Sequence, residues 1–66
     1  MDDYEYCGIF KTLSYKSVLV QIDDIDYRFS LQYCRFHPDP IDLDIGDNIT
    51  VYCPSWLAEK MQIDKD

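Results

Sequence analysis

Basic residues are scarce in this sequence. Six Lys and Arg stand against thirteen Asp and Glu, which gives a net charge of −7 over 66 residues. Direct binding to the backbone of DNA or RNA draws its affinity from Lys and Arg, and anionic membranes attract basic segments for the same reason. The scarcity therefore disfavours nucleic acid and membranes as direct partners. It favours a protein partner that presents a basic surface.

Glycine, proline and long apolar runs are also few. Two Gly and three Pro leave no stretch that reads as a flexible linker, so we expect one domain over residues 1–66. No segment approaches the roughly 20 apolar residues that a membrane-spanning helix needs. The sequence starts Met1-Asp2-Asp3, without the positive charge and apolar run of a signal peptide. These features predict a cytoplasmic protein.

No catalytic constellation of residues is present in the sequence. The sequence has a single histidine, His37, and no Gly-x-Ser-x-Gly motif or glycine-rich phosphate loop. His37 lies between Phe36 and Pro38, in a stretch typical of a surface loop. We therefore expect a protein that binds without catalysis and carries no cofactor.

Three cysteines, Cys7, Cys34 and Cys53, are too few and too widely spaced for a disulfide framework. Their apolar and aromatic neighbours predict buried free thiols. A zinc site built from these cysteines and His37 stays open as an alternative, although only Cys34-x-x-His37 forms a close pair. Asp42-x-Asp44-x-Gly46-Asp47 resembles part of a calcium loop, but Cys53 stands where that loop needs its last acid.

Hydrophobic residues make up 47% of the chain, and their period predicts a mainly β fold. We expect strands over residues 4–13, with Gly8 a candidate bulge, over 16–22, over 27–33 and over 49–53. A polar turn at residues 23–26 joins the second and third strands into an antiparallel hairpin. Residues 37–40 break regular structure because of two prolines, and residues 41–47 read as a loop held by its apolar side chains.

A short C-terminal helix is predicted from Ser55 to about Gln62, with Pro54 at its first position. Leu57 and Met61 share one face of it, with Trp56 beside them. We expect these three side chains to be hidden against the sheet. The fold class is a small antiparallel bent sheet or partly open barrel, of the SH3-like or OB-like type, with a short C-terminal helix.

The acidic residues between positions 23 and 47 are the candidate binding site. They form a first segment at the hairpin turn and a second in the long connection, opposed only by Arg28 and Arg35. The site comprises Asp23, Asp24, Asp26, Asp39, Asp42, Asp44 and Asp47. Such carboxylates either solubilise the surface or imitate the charge of a phosphate backbone and occupy a basic groove.

Tyrosines are the second component of the candidate site, because Tyr is enriched among interface anchors. We expect Tyr4 and Tyr6 to face outward and contribute to partner binding, together with Tyr15 and Tyr52. Burial of some of these rings in the sheet is the alternative.

Residues 16–23, 45–47 and 49–60 resemble a class of small bacteriophage proteins with a β-hairpin and a strand that leads into a helix. The specific part of the resemblance is Pro54, Trp56, Leu57 and Ala58; the chain departs from the pattern at Met61-Gln62-Ile63. The resemblance covers about half the chain and implies a phage setting and a sheet-plus-helix layout, in which Pro54, Trp56 and Leu57 are structural.

Together these features predict an inhibitor of the anti-CRISPR type, which blocks the basic groove of a host nucleoprotein effector in the infected bacterium. The alternative is a phage accessory or assembly protein that acts through apolar and aromatic contacts with another protein or as a homodimer. A third possibility is a nucleic-acid-binding barrel that uses Lys11, Lys16, Arg28 and Arg35 with tyrosine stacking.

Overall fold

The computed structural model describes residues 3–62. It has five antiparallel strands, a single 3₁₀ turn and one short helix. In chain order these are β1 (Asp3–Leu13), β2 (Ser17–Ile22), β3 (Ile25–Ser30), β4 (Arg35–His37), the 3₁₀ turn (Pro40–Asp42), β5 (Asn48–Pro54) and α1 (Ser55–Met61). The predicted mainly β class, with a bent antiparallel sheet and a C-terminal helix, is confirmed.

The strands form one sheet in the order β3-β2-β1-β5-β4. The long strand β1 joins its two halves: Asp3–Ile9 pairs with β5, and Ile9–Leu13 pairs with β2. The sheet is bent and not closed. A bulge lies between Phe10 and Thr12, so the predicted bulge at Gly8 is wrong by a few residues.

Gly8 lies where β1 changes partners, and it permits a close approach of β2. A Cβ atom built there would lie 2.6 Å from the Gln21 carbonyl oxygen and 2.7 Å from Val20 Cγ1. Real Cβ atoms do not approach a backbone oxygen that closely, so any side chain at Gly8 would push β1 and β2 apart.

The connection between β3 and β4 explains the curl of the sheet. These strands are neighbours in sequence, yet they form opposite edges of the sheet. Only residues 31–34 lie between them, a segment that spans at most about 17 Å. The end of β3 must therefore lie close to the start of β4, which requires a strongly curled sheet.

The core lies on the concave face of this sheet. Residues at alternate positions of β2 and β5, such as Val18, Val20 and Val51, are fully buried there together with Phe29. The period-2 alternation of the sequence places these side chains on one face. The predicted core of the hairpin is confirmed as far as Ser30, where β3 ends.

Beyond Ser30 the predicted strand is wrong. Residues 31–33 form turns, and Leu31 and Tyr33 are exposed. The chain must leave β3 here to reach the other edge of the sheet, so tertiary geometry overrides the alternating pattern. Strand β4, which the sequence did not indicate, pairs with β5 through Phe36 and Val51.

Helix α1 follows β5 directly and covers one end of the core. Ala58 is buried, and Leu57 and Met61 pack against the core. Pro54 is the residue that precedes the first turn, one position earlier than predicted. Trp56 is 53% exposed, so the expectation that it is hidden is wrong. Within residues 3–62, no helix has the length and apolar character needed to cross a membrane.

Candidate functional site

The first acidic segment is a tight turn. Asp23 and Asp24 are the two residues between the paired positions Ile22 and Ile25, and both have positive φ, at 54° and 67°. Left-handed conformations at both central positions define a type I′ turn, which Asn-Gly fits best and Asp tolerates. The turn fixes the backbone conformation of Asp23 and Asp24. Their side chains, and that of the following Asp26, remain exposed.

The second acidic segment, residues 38–47, is shaped by two of its own carboxylates. Asp39 Oδ1 accepts a hydrogen bond from the Ile41 backbone N–H at 3.1 Å and so starts the 3₁₀ turn. Asp47 Oδ2 accepts one from the Asp44 backbone N–H at 2.8 Å. Asp39 and Asp47 therefore order the loop, in the manner usual for Asp in turns.

Backbone hydrogen bonds attach the end of this segment to β1. The Phe10 N–H donates to the Asp47 carbonyl, and the Gly46 N–H donates to the Phe10 carbonyl, both at 2.8 Å. Gly46 adopts φ of +100°, which disfavours any residue with a side chain. The loop thus lies on the sheet at a fixed position, even though its residues are mostly exposed.

The expectation that apolar residues pin this loop is only partly right. Pro40 is buried and Leu43 packs against the core. Ile41 and Ile45, in contrast, are 73% and 74% exposed. The loop is held by its backbone, its carboxylates and two apolar residues, and it leaves two isoleucines in contact with solvent.

An open groove of about 680 Å³ separates the two acidic segments. Cys7, Gly8 and Ile9 of β1 form its floor. Asp23 lines one side, and Pro38, directly before Asp39, lines the other. The fold therefore brings the beginnings of both acidic segments to one groove, and all seven candidate carboxylates are exposed.

The two candidate tyrosines do not lie in this groove. Tyr6 is 5% exposed, so the expectation that it faces outward is wrong. Tyr4 is half-buried and packs edge-on against the Tyr6 ring, with 6.3 Å between the ring centroids. Alternate residues of a strand share one face of the sheet, so Tyr4 and Tyr6 lie on the same face as the buried Phe10. Both rings therefore pack against the core.

The Tyr6 hydroxyl is buried without a hydrogen-bond partner among the described residues. Burial raises the pKa of Tyr6 above its usual value, because the charged phenolate is disfavoured away from water. A buried hydroxyl without a partner is destabilising. Tyr6 is therefore a core residue with an unused polar group.

The four candidate zinc ligands lie on different sides of the sheet. Cys34 and Cys53 are buried on the core side, whereas Cys7 is exposed. Cys7 and His37 both pair with Thr50, so they share the outer face. Within residues 3–62, no group of three or more Cys, His, Asp or Glu side chains is arranged to hold a metal ion. The prediction of buried thiols is correct for Cys34 and Cys53 and wrong for Cys7.

Burial raises the pKa of the Cys34 thiol to about 12, and the adjacent Cys53 adds to the effect. The pKa of Cys53 is raised as well, mainly by burial. Thiols with raised pKa values carry little thiolate at neutral pH and are poor nucleophiles. Both behave as small apolar core residues.

A cluster of exposed aromatic residues was not anticipated. Tyr33 and Trp56 pack edge-on at 5.2 Å between ring centroids, and each is half exposed. They belong to the β3–β4 connection and to α1, which the sequence does not place together. Tyr15, expected to face outward, is 90% exposed.

The basic residues of the third hypothesis come from different elements of the fold. Arg28 lies on β3 and Arg35 on β4, which are opposite edges of the sheet, and Lys16 lies in the β1–β2 turn. Among these side chains, Lys16 lies above the ring of Tyr15, at 5.8 Å from its centroid.

Comparisons with known proteins give no relative: no family model, no curated protein and no solved structure matches this chain.

Proposed function

We propose that this protein is an inhibitor that occupies the basic, nucleic-acid-binding groove of a protein partner by presenting carboxylates in place of phosphates. The observation that carries the proposal is the groove on β1, which lies between two acidic segments that are distant in sequence. Seven exposed carboxylates stand on these segments.

The electrostatics of these segments support a long-range role. Exposed charges of one sign on a small surface steer a partner of opposite charge and accelerate association. Between residues 23 and 47 the seven acids are accompanied only by Arg28 and Arg35. Two cations cannot balance seven carboxylates, so this part of the chain keeps a net negative charge.

The resemblance to small phage proteins suggests the setting. A phage-encoded acidic protein would act in the cytoplasm of the infected bacterium on a host defence complex, in the manner of an anti-CRISPR. Such a complex holds its nucleic acid in a positively charged channel. The proposed mechanism needs no catalysis, since occupation of the channel excludes the nucleic acid.

The test compares two variants with the same change in net charge. The first, the groove variant, carries Asp23→Asn at an acid that lines the groove, and Asp42→Asn and Asp44→Asn in the second acidic segment. The control neutralises Asp3→Asn, Glu5→Gln and Glu59→Gln elsewhere. Asp39 and Asp47 are left unchanged because their carboxylates order the loop.

Each protein is immobilised and used to capture partners from a defence-competent bacterial lysate. Captured proteins are then tested for loss of DNA retardation in a gel when the wild-type chain is added. We expect the groove variant to lose most of this inhibition and the control to keep it, with binding that weakens as salt rises. Equal inhibition by both variants would contradict the proposal, as would retardation of DNA by this chain alone.

The Tyr33–Trp56 contact favours a second candidate, an accessory or assembly protein that acts through aromatic contacts. Exposed Trp and Tyr side chains are common anchors of protein interfaces. Under this alternative, partner binding is insensitive to salt and to the groove variant, and it is lost in Trp56→Ala. The same capture experiment therefore separates the two candidates.

A further inference from the structure

The edge strand β3 carries a charge pattern that is complementary to itself. Asp26 and Arg28 stand two positions apart, so they share the outer face of the sheet, and both are exposed. Across the ladder they face Gln21 and Leu19 of β2, which are uncharged. Neither charge therefore has an opposite charge directly across the sheet.

The backbone of β3 is also free on its outer side at these two residues. Antiparallel ladders alternate between hydrogen-bonded and non-hydrogen-bonded pairs. The pair next to a two-residue turn, Ile22 and Ile25, is hydrogen-bonded, and the bond from the Leu31 N–H to the Lys16 carbonyl continues the same alternation. The N–H and C=O groups of Asp26 and Arg28 thus point away from β2, toward the open edge.

We propose that two copies of this chain pair antiparallel through their β3 edges, about a two-fold axis at Tyr27. In this register Asp26 of each copy lies opposite Arg28 of the other copy. The N–H and C=O groups that point to the open edge then form hydrogen-bonded pairs, as an added antiparallel strand requires. Two oppositely charged pairs form at once, because the two-fold axis repeats each contact.

Charge selects this register over its neighbours. A shift by two residues in one direction places Asp26 opposite Asp26 of the second copy, and a shift in the other places Arg28 opposite Arg28. Like charges directly opposite each other destabilise a strand pair. A shift by one residue places Asp26, whose N–H and C=O groups point to the open edge, opposite a residue of the second copy whose N–H and C=O groups already pair with β2. One register alone satisfies both the charges and the backbone.

The side chains on the concave side are compatible with the same register. Tyr27 lies opposite Tyr27 of the second copy, and Ile25 lies opposite Phe29. Ile25 is 53% exposed in the single chain, so pairing would cover an apolar side chain now in water. The opposite edge, β4, has only three residues and no acid among Arg35, Phe36 and His37, so it lacks a self-complementary pattern.

Charge reversal tests the pairing. Arg28→Asp and Asp26→Arg each place like charges opposite one another in the proposed dimer. The double variant D26R/R28D restores both pairs with the charges exchanged, and its net charge equals that of the wild type. Arg35→Asp is the matched control, because it makes the same change in charge on the other edge of the sheet.

Sedimentation velocity over a concentration series, in about 150 mM salt to screen the net repulsion between copies, measures the dimer Kd. We expect each single variant to raise Kd about tenfold or more, the double variant to restore it, and Arg35→Asp to leave it unchanged. Circular dichroism verifies that each variant is folded. The proposal is overturned by a wild type that stays monomeric, by a dimer that Arg28→Asp does not weaken, or by longer oligomers that Arg35→Asp disrupts.

Hydrogen exchange of the wild type provides a second measurement that needs no variant. In the proposed dimer the amides of Asp26 and Arg28 become hydrogen-bonded, so their exchange should slow as the protein concentration rises. The concentration range must be one in which the chain dimerises. If the exchange rates of these two amides do not change across that range, the contact lies elsewhere and the proposal is overturned.

Discussion

The two acidic segments flank one groove, but they are held in opposite ways. In the hairpin turn the backbone adopts positive φ at Asp23 and Asp24, while the side chains stay exposed. In the connection the carboxylates of Asp39 and Asp47 accept backbone hydrogen bonds and thereby shape the loop. The first segment therefore has backbone strain at its two turn residues. In the second segment, two of the carboxylates stabilise the loop by accepting hydrogen bonds.

This difference divides the seven carboxylates into two groups. Asp39 and Asp47 contribute to the fold as well as to the charge. The other five are exposed without a structural hydrogen bond of this kind, and substitution there changes the charge with little effect on the fold.

Gly8→Ala should have the largest effect. The added methyl group would meet the Gln21 carbonyl oxygen at 2.6 Å, and overpacking of this kind costs about 2–3 kcal/mol. Urea unfolding followed by circular dichroism measures the loss. Gly46→Ala is the control: nothing lies within 4 Å of its Cβ position, so only its positive φ matters, which costs about 1 kcal/mol. Equal losses for the two variants would contradict the close approach of β2 to β1.

Asp39→Ala and Asp42→Ala compare a structural carboxylate with a free one in the same turn. Loss of the hydrogen bond to the Ile41 N–H should destabilise the protein by about 1 kcal/mol. Asp42→Ala removes the same charge and should change stability by less than about 0.5 kcal/mol. Thermal unfolding of both variants checks the difference. If Asp42→Ala costs as much as Asp39→Ala, the division of the carboxylates is wrong.

The double variant D23N/D24G should have the smallest effect on the free energy of unfolding. Unlike the variants above, it should make the protein more stable. Asn-Gly is the preferred sequence for a type I′ turn, so the substitution should stabilise the fold by about 0.5 kcal/mol. It also removes both charges of the turn, so partner binding that depends on the groove should weaken. Unfolding and capture measured on the same sample separate the two effects. A less stable variant would show that Asp23 and Asp24 make contacts that the turn geometry does not explain.

Much of the fold could be predicted from local patterns. The β2–β3 hairpin, β5 and α1 follow from alternation, from the acidic turn and from Pro54 before a helical stretch. Tyr33 continues the alternation of β3 but lies in a turn, because the chain has to cross to the other edge. Strand β4 has three residues, too few for a period to be visible, and it exists only because β5 is available for pairing.

The exposure of the seven acids agrees with the expectation from the sequence, whereas the burial of Tyr6 does not. Exposure of the acids follows from the high cost of burying a carboxylate. Tyr6 and Cys7 are adjacent on β1, and their exposures are the reverse of what was expected. An aromatic residue and a cysteine are both suited to either face of a sheet, so their types do not reveal which one faces the core.

By itself the sequence determined that this protein is acidic, that it forms mainly β structure with a terminal helix, and that seven of its acids fall into two segments between residues 23 and 47. Those properties depend on composition and on short-range periodicity. Only the tertiary structure decided that both segments border one groove and that β3 is left as a free edge. Both depend on the curl of the sheet and on pairing between distant strands, which no local pattern encodes.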